Sequence, residues 1–267
     1  MTILIGILCE DGAVIAADGM ASQHLGTTPF IGVDNLKIHS IEEKLILACA
    51  GDDNLMIQFV HFLKINYSTI ISQNEQKVPF DVFVLMSEIG SKFAHYIVKM
   101  QNQFPPELQP SSIKKTNEKG FPFQAVLALY LNYTHYMCFY DNFFRPYMLR
   151  GNGIWHTILG SGHLVASPSI HLVKKILDIK SRPSVEQARI LAYWTIQHAI
   201  EVSAGGIGGK ITISSLRKIE DTYKIEEDTE GDLIEHDSFI KEMYKIMSQY
   251  RNRNSIEAEN NIEIPVF

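Results

Sequence analysis

The chain has 267 residues, 46% of them apolar and 20% charged, with 24 Lys plus Arg against 30 Asp plus Glu. That length and composition exclude a disulfide-stapled mini-protein and a disordered chain, and predict a folded globular body of one large domain or two small ones. The formal charge of -6 is uneven: residues 1–216 carry 17 of each sign, and a balanced body with an acidic end excludes nucleic acid as a partner class.

Residues 2–9 and 13–17, joined by Glu10-Asp11-Gly12, read as two short strands around a tight turn. A polar stretch at 19–34 precedes a second pair, Lys37 to Ser40 and Lys44 to Ala50, which stops at Gly51-Asp52-Asp53, where an aspartate caps a helix start. Leu55, Phe59, Phe62, Leu63 and Ile70 form one helical face, and Phe83, Met86, Ile89, Phe93, Ile97 and Met100 another, so two long helices are predicted in succession. Pro105, Pro106, Pro110 and Pro122 mark 103–122 as a loop, and strands resume at Phe123–Leu131, Tyr133–Tyr140 and Tyr147–Arg150. Two helices at 163–178 and 184–203 and a strand at Lys210–Leu216 complete the body. The order suits two sheets packed face to face with helices outside. Residues 217–267 read as an acidic arm with an amphipathic helix around Phe239–Tyr250 and a last alternating run, Ile262, Ile264 and Val266.

Cys9, Cys49 and Cys138 are odd in number and set in apolar runs, which predicts buried thiols in a reducing compartment. The first positive side chain is Lys37 and no apolar run approaches about 18 residues, so neither a secretory segment nor a membrane span is expected. The expected location is the cytoplasm, without a membrane partner.

Position singles out Thr2. A residue this small after an initiator methionine lets that methionine be removed, leaving Thr2 as the N-terminus. Its α-amine, with an ordinary pKa of about 7.7–8.0, then sits beside its own hydroxyl and takes its proton, so that nucleophile and base share one residue. Taken alone, Thr2 is simply a common second residue. An ammonium close to both groups lowers the pKa of each, and a lysine drawn into such a pocket needs a counter-charge. Lys37 and Asp18 supply that pair, although without Thr2 they read equally as a structural ion pair.

The run Thr2-Ile-Leu-Ile-Gly-Ile-Leu-Cys-Glu-Asp-Gly-Ala-Val-Ile-Ala-Ala-Asp18-Gly19, with Lys37-Ile38-His39 and Ala48-Cys49-Ala50-Gly51, resembles the proteasome-type N-terminal nucleophile hydrolases, and its Ala-Asp-Gly wording the bacterial HslV branch. The resemblance implies a four-layer αββα sandwich for residues 1–216, with 217–267 appended as the arm. It implies Thr2 as nucleophile, Asp18 and Lys37 as its partners, and the Gly51 N–H as oxyanion donor. Ser22 and Cys49 would face substrate. Gly51 also reads as ordinary strand-end punctuation, and Cys49 as a small buried hydrophobe.

Gly160-Ser161-Gly162, the helix start Val185-Glu-Gln-Ala188, and Glu201-Val-Ser203-Ala204-Gly205-Gly206 extend the resemblance. They match Ser161 to a serine beside the N-terminal amine and put Glu201 where the family has an Asp. Ala204 takes the place of a usual serine, and Met20 that of a frequent Arg. The ten histidines form no His-x-x-x-His pair with a supporting acid, and the Gly205–Gly209 run lacks a following Gly-Lys-Ser/Thr, so neither a metal site nor a nucleotide loop is expected. The resemblance thus implies a cofactor-free threonine peptidase acting on polypeptides, a homo-oligomeric ring, and an ATP-dependent unfoldase as partner. Two readings stay beside it: a small-molecule amidohydrolase on the same fold, and a non-catalytic ring subunit.

Overall fold

A computed structural model describes residues 2–20, 23–25, 28–30, 36–75, 81–101, 120–149, 153–203, 207–219 and 222–260. The chain divides into two compact units, Met1–Glu227 and Asp228–Phe267.

Two five-stranded antiparallel sheets form the centre of the first unit. One sheet runs in the order β10 (His156–Leu159), β1 (Leu4–Leu8), β2 (Gly12–Ala17), β11 (Thr212–Ile219), β12 (Thr222–Glu227). The other runs β5 (Ile38–Ile41), β6 (Leu45–Gly51), β7 (Phe123–Leu131), β8 (Thr134–Tyr140), β9 (Pro146–Met148). Every residue of β1 and β2 is buried, so neither strand shows the polar alternation of a solvent-facing sheet. The cause is layering. Their inner face meets β6, β7 and β8, and their outer face is covered by a helix.

Helices α1 (Asp53–Glu75) and α2 (Val82–Gln101) cover the second sheet, and α3 (His163–Ile176) and α4 (Val185–Val202) cover the first. Phe59, Phe93, Phe123, Tyr140 and Phe144 close the space under α1 and α2, with Phe59 and Phe93 ring centroids 4.8 Å apart, edge to face. The caps are local. Asp52 Oδ1 accepts the N–H of Asn54 at 3.0 Å and of Leu55 at 3.2 Å, and Ser184 and Gln187 form a reciprocal capping box at the start of α4. The result is the αββα sandwich expected from the sequence.

The departures are four short strands. The polar stretch after Asp18 contains a hairpin, β3 (Gln23–Leu25) and β4 (Thr28–Phe30), β10 adds an edge to β1, and β12 pairs with β11 from Ile219↔Thr222 to Ser214↔Glu227. This last pairing moves the expected boundary. Leu216 lies in the middle of β11, and the sheet continues to Glu227 because β12 hydrogen-bonds along it.

The second unit is described by α5 (Glu230–Asn260), longer than the amphipathic segment expected. Thr229 starts it, donating from both N and Oγ1 to Asp232 Oδ2 at 2.7 Å. His236 Nε2–H donates to Asp228 Oδ2 at 2.9 Å. The expected terminal strand at Ile262–Val266 lies outside the described residues, as does the Pro-bearing loop through 119.

Candidate active site

The antiparallel register of β1 and β2 decides where Thr2 sits. Leu4 pairs with Ala17 and the Asp18 N–H donates to the Ile3 carbonyl at 3.2 Å, which leaves Thr2 at the strand end beside Asp18. On its other side Leu4 pairs with Leu159, and the Gly162 N–H donates to the Thr2 carbonyl at 3.0 Å. Thr2 is therefore held between the end of β2 and the turn that follows β10.

Lys37 comes from the second sheet, as the residue entering β5. Its Nζ lies 2.8 Å from Asp18 Oδ1, 2.7 Å from the Met20 carbonyl and 3.4 Å from Thr2 Oγ1. An ammonium has three protons and no acceptor, so these contacts match its whole donor inventory, with Thr2 Oγ1 accepting over a long contact. Asp18 is fully buried and Lys37 is 3% exposed. A buried charge pair needs further hydrogen bonds, and Asp18 has them: Oδ1 accepts the Ile3 N–H at 2.8 Å and Oδ2 the Gly208 N–H at 3.4 Å. Burial holds the Lys37 pKa below the ordinary lysine value, while the charge and hydrogen bond of Asp18, and more weakly the charge of Asp53, oppose that shift.

Ser161 completes the cluster, with Oγ 3.2 Å from the Thr2 nitrogen. The turn that carries it requires glycine at 160: φ is +87°, and a Cβ there would strike the Thr2 carbonyl. Gly51 ends β6 at φ +123°, opposite Phe123, where a Cβ would collide with the Pro122 carbonyl.

The structure thus brings Thr2, Asp18, Lys37 and Ser161 together. Glu201 stands apart from them. It lies exposed in the last turn of α4, and Oε1 accepts from Gln197 Nε2 at 3.0 Å, one turn back on the same helix face. Cys49 is 1% exposed within the core beneath α1 and α2, and burial pushes its thiol pKa well up, so its side chain serves packing. Ser22 and Ala204 lie outside the described residues.

Three backbone groups, which carry no residue-type signal, and one side chain outside any motif complete this cluster. The Met20 carbonyl accepts a hydrogen bond from Lys37 whatever side chain stands at 20, and the Gly208 N–H, from the glycine run, holds Asp18. The Gly162 N–H holds the Thr2 carbonyl, and Gln124 Oε1 accepts the Gly160 N–H at 3.0 Å.

No family profile matches the chain. Over 77 residues it is 35% identical to proteasome subunit beta 2 of Pyrococcus abyssi (strain GE5 / Orsay), a match covering 29% of this chain and 36% of that relative's length. In fold it is similar to the Anbu (Gly-1) mutant from Hyphomicrobium sp. strain MC1, with TM-score 0.62 and 11% identity over 97% of this chain and 100% of that one. Layering and fold likeness together show that this chain shares the αββα fold of Anbu, and a 77-residue stretch of it is similar in sequence to about a third of a proteasome beta subunit.

Proposed function

We propose that the chain is a threonine-type peptidase whose nucleophile is the hydroxyl of Thr2, freed by removal of Met1. The observation that carries this reading is the position of Lys37 Nζ, bridging Asp18 Oδ1 at 2.8 Å and Thr2 Oγ1 at 3.4 Å in a buried setting. The α-amine of Thr2 takes the hydroxyl proton, directly or through one water, and the Lys37 ammonium favours both the neutral amine and the developing alkoxide. Attack on a peptide carbonyl forms the C–O bond and puts negative charge on the carbonyl oxygen, which the Gly51 N–H receives. The C–N bond then breaks, the leaving amine takes the proton from the Thr2 ammonium, and a water activated by the same amine hydrolyses the ester.

Ser161 keeps the Thr2 nitrogen in place at 3.2 Å, supporting the same assignment. A homo-oligomeric ring, an ATP-dependent unfoldase and a cytoplasmic site complete the reading. The ring follows from likeness to a proteasome subunit. Among the described residues no helix is long and apolar enough to cross a membrane.

One observation favours a second reading, a non-catalytic ring subunit: Glu201 is hydrogen-bonded to Gln197 on its own helix, and among the described residues no hydrogen bond joins it to Ser161. Intact mass before and after treatment with an epoxyketone or β-lactone separates the two. The peptidase reading expects a chain lacking Met1 and carrying one adduct on Thr2. Retained Met1 and no adduct leave the non-catalytic subunit. Turnover of small amides without cleavage of casein would move the substrate to small molecules.

A further inference from the structure

One contact in the cluster is used by neither the Lys37 pair nor the chemistry of Thr2, and it joins the two sheets. Gln124, half-buried in β7, stands opposite Ala50 of β6, the residue before Gly51. Its Oε1 accepts the Gly160 N–H at 3.0 Å across the inter-sheet space. The backbone N–H is only a donor, so the amide oxygen must be the atom that faces it, which fixes the orientation of the side chain.

What hangs on that bond is the turn holding Thr2. Gly160 has φ +87° and lies against the Thr2 carbonyl; Ser161 Oγ lies 3.2 Å from the Thr2 nitrogen; the Gly162 N–H donates to the Thr2 carbonyl at 3.0 Å. The Gly160 carbonyl is already engaged, accepting from the His163 N–H at 3.2 Å and lying 3.0 Å from His163 Nδ1. The Leu159–Gly160 peptide is therefore gripped through its N–H by Gln124. Without an acceptor there, a part-buried donor is left unpaired in a turn whose glycine tolerates other backbone angles, and Ser161 moves with the peptide.

We propose that Gln124 is a positioning residue: from the strand paired to the Gly51 strand, it fixes the Gly160–Gly162 turn so that Ser161 Oγ and the Gly162 N–H stay on Thr2. The proposal rests on Thr2 as nucleophile for its catalytic consequence, whereas its mechanical part stands independently. Gln124→Met keeps side-chain length and removes the acceptor; Gln124→Glu keeps an acceptor in place. Hydrogen exchange of the peptide spanning 157–162 is measured on the full chain by mass spectrometry, beside the melting temperature and the rate of Thr2 acylation by a β-lactone.

In Gln124→Met, exchange at the turn rises about tenfold and acylation slows by about 10- to 100-fold, the range expected for a reacting group misplaced by about 1 Å. The melting temperature changes little, and kcat falls while KM holds. Gln124→Glu recovers most of both losses. Unchanged exchange in Gln124→Met overturns the proposal, and so does a loosened turn with wild-type acylation. Should Gln124→Met fail to fold, Gln124→Asn, one methylene short of Gly160, is read by the same two measurements. A wild-type chain that is never acylated refutes Thr2 as nucleophile instead, and the exchange comparison still decides whether Gln124 holds the turn.

Discussion

Replacing Lys37 by Met separates chemistry from stability, because the two effects have different sizes and different remedies. Lys37 Nζ is 3.4 Å from Thr2 Oγ1, and at an effective dielectric of about 20 a full charge there interacts by about 5 kcal/mol. A half-developed alkoxide therefore gains about 2.5 kcal/mol, so acylation of Thr2 should slow by about 60-fold or more. Stability falls for another reason. Asp18 is left buried and uncompensated, which costs about 3–5 kcal/mol, reduced toward the lower figure by its bonds from Ile3 and Gly208. For a unit of this size the melting temperature drops by roughly 6–20 °C. The double variant Asp18→Asn with Lys37→Met removes the orphaned charge while Asn still accepts the Ile3 N–H, so stability returns and reactivity does not. pH adds a second readout. Burial holds the Lys37 pKa below 10.5, so kcat/KM should decline on an alkaline limb below pH 10.5 that disappears in Lys37→Met. Between the lowered value and 10.5 the unfolded chain binds more protons than the folded one, so this group makes stability rise with pH there. Thermal melts followed by circular dichroism and acylation followed by intact mass test both parts. A double variant that reacts at the wild-type rate, or is no more stable than the single one, refutes the reasoning.

Thr2→Ala should abolish hydrolysis with the melting temperature nearly unchanged, and Thr2→Ser should retain part of the activity; a turnover assay with casein and small amides checks both. Gly160→Ala forces a Cβ onto the Thr2 carbonyl at φ +87°, so a loss of about 1–3 kcal/mol and an acylation rate at least about tenfold lower are expected from denaturant titration and labelling. Truncation after Glu227 should leave a folded first unit that still labels at Thr2, whereas truncation after Leu216 cuts β11 and should yield aggregates by light scattering. Loss of Thr2 labelling in the longer truncation would make the second unit part of the working site.

Sequence carries a signal where a side chain does the work and loses it where the backbone does. Thr2, Asp18, Lys37 and Ser161 were legible because ordered strands convert their spacing into proximity: the pairing of β1 with β2 alone puts Asp18 beside Thr2. The first two long helices were legible through the spacing of their apolar residues, and α1 also through its cap at Asp52. The Met20 carbonyl and the Gly208 N–H were not, since any residue offers the first and any residue but proline the second. Short edge strands escaped for a related reason. β10 has three half-buried residues out of four, and β12 mixes half-buried with exposed side chains in a sequence rich in charge, so its acids looked like the start of an arm. Glu201 shows what motif spacing omits, which is helix phase. Ala188, Ala192, Thr195, Ile196 and Ala199 mark the buried face of α4, and continuing by four brings Ser203, half-buried, onto that line. Glu201 falls about 200° from Ala199 at 3.6 residues per turn, on the side shared with Gln197. An acid at that helix phase meets Gln197, so matching the spacing of the Asp in the resembled family does not by itself supply its contact.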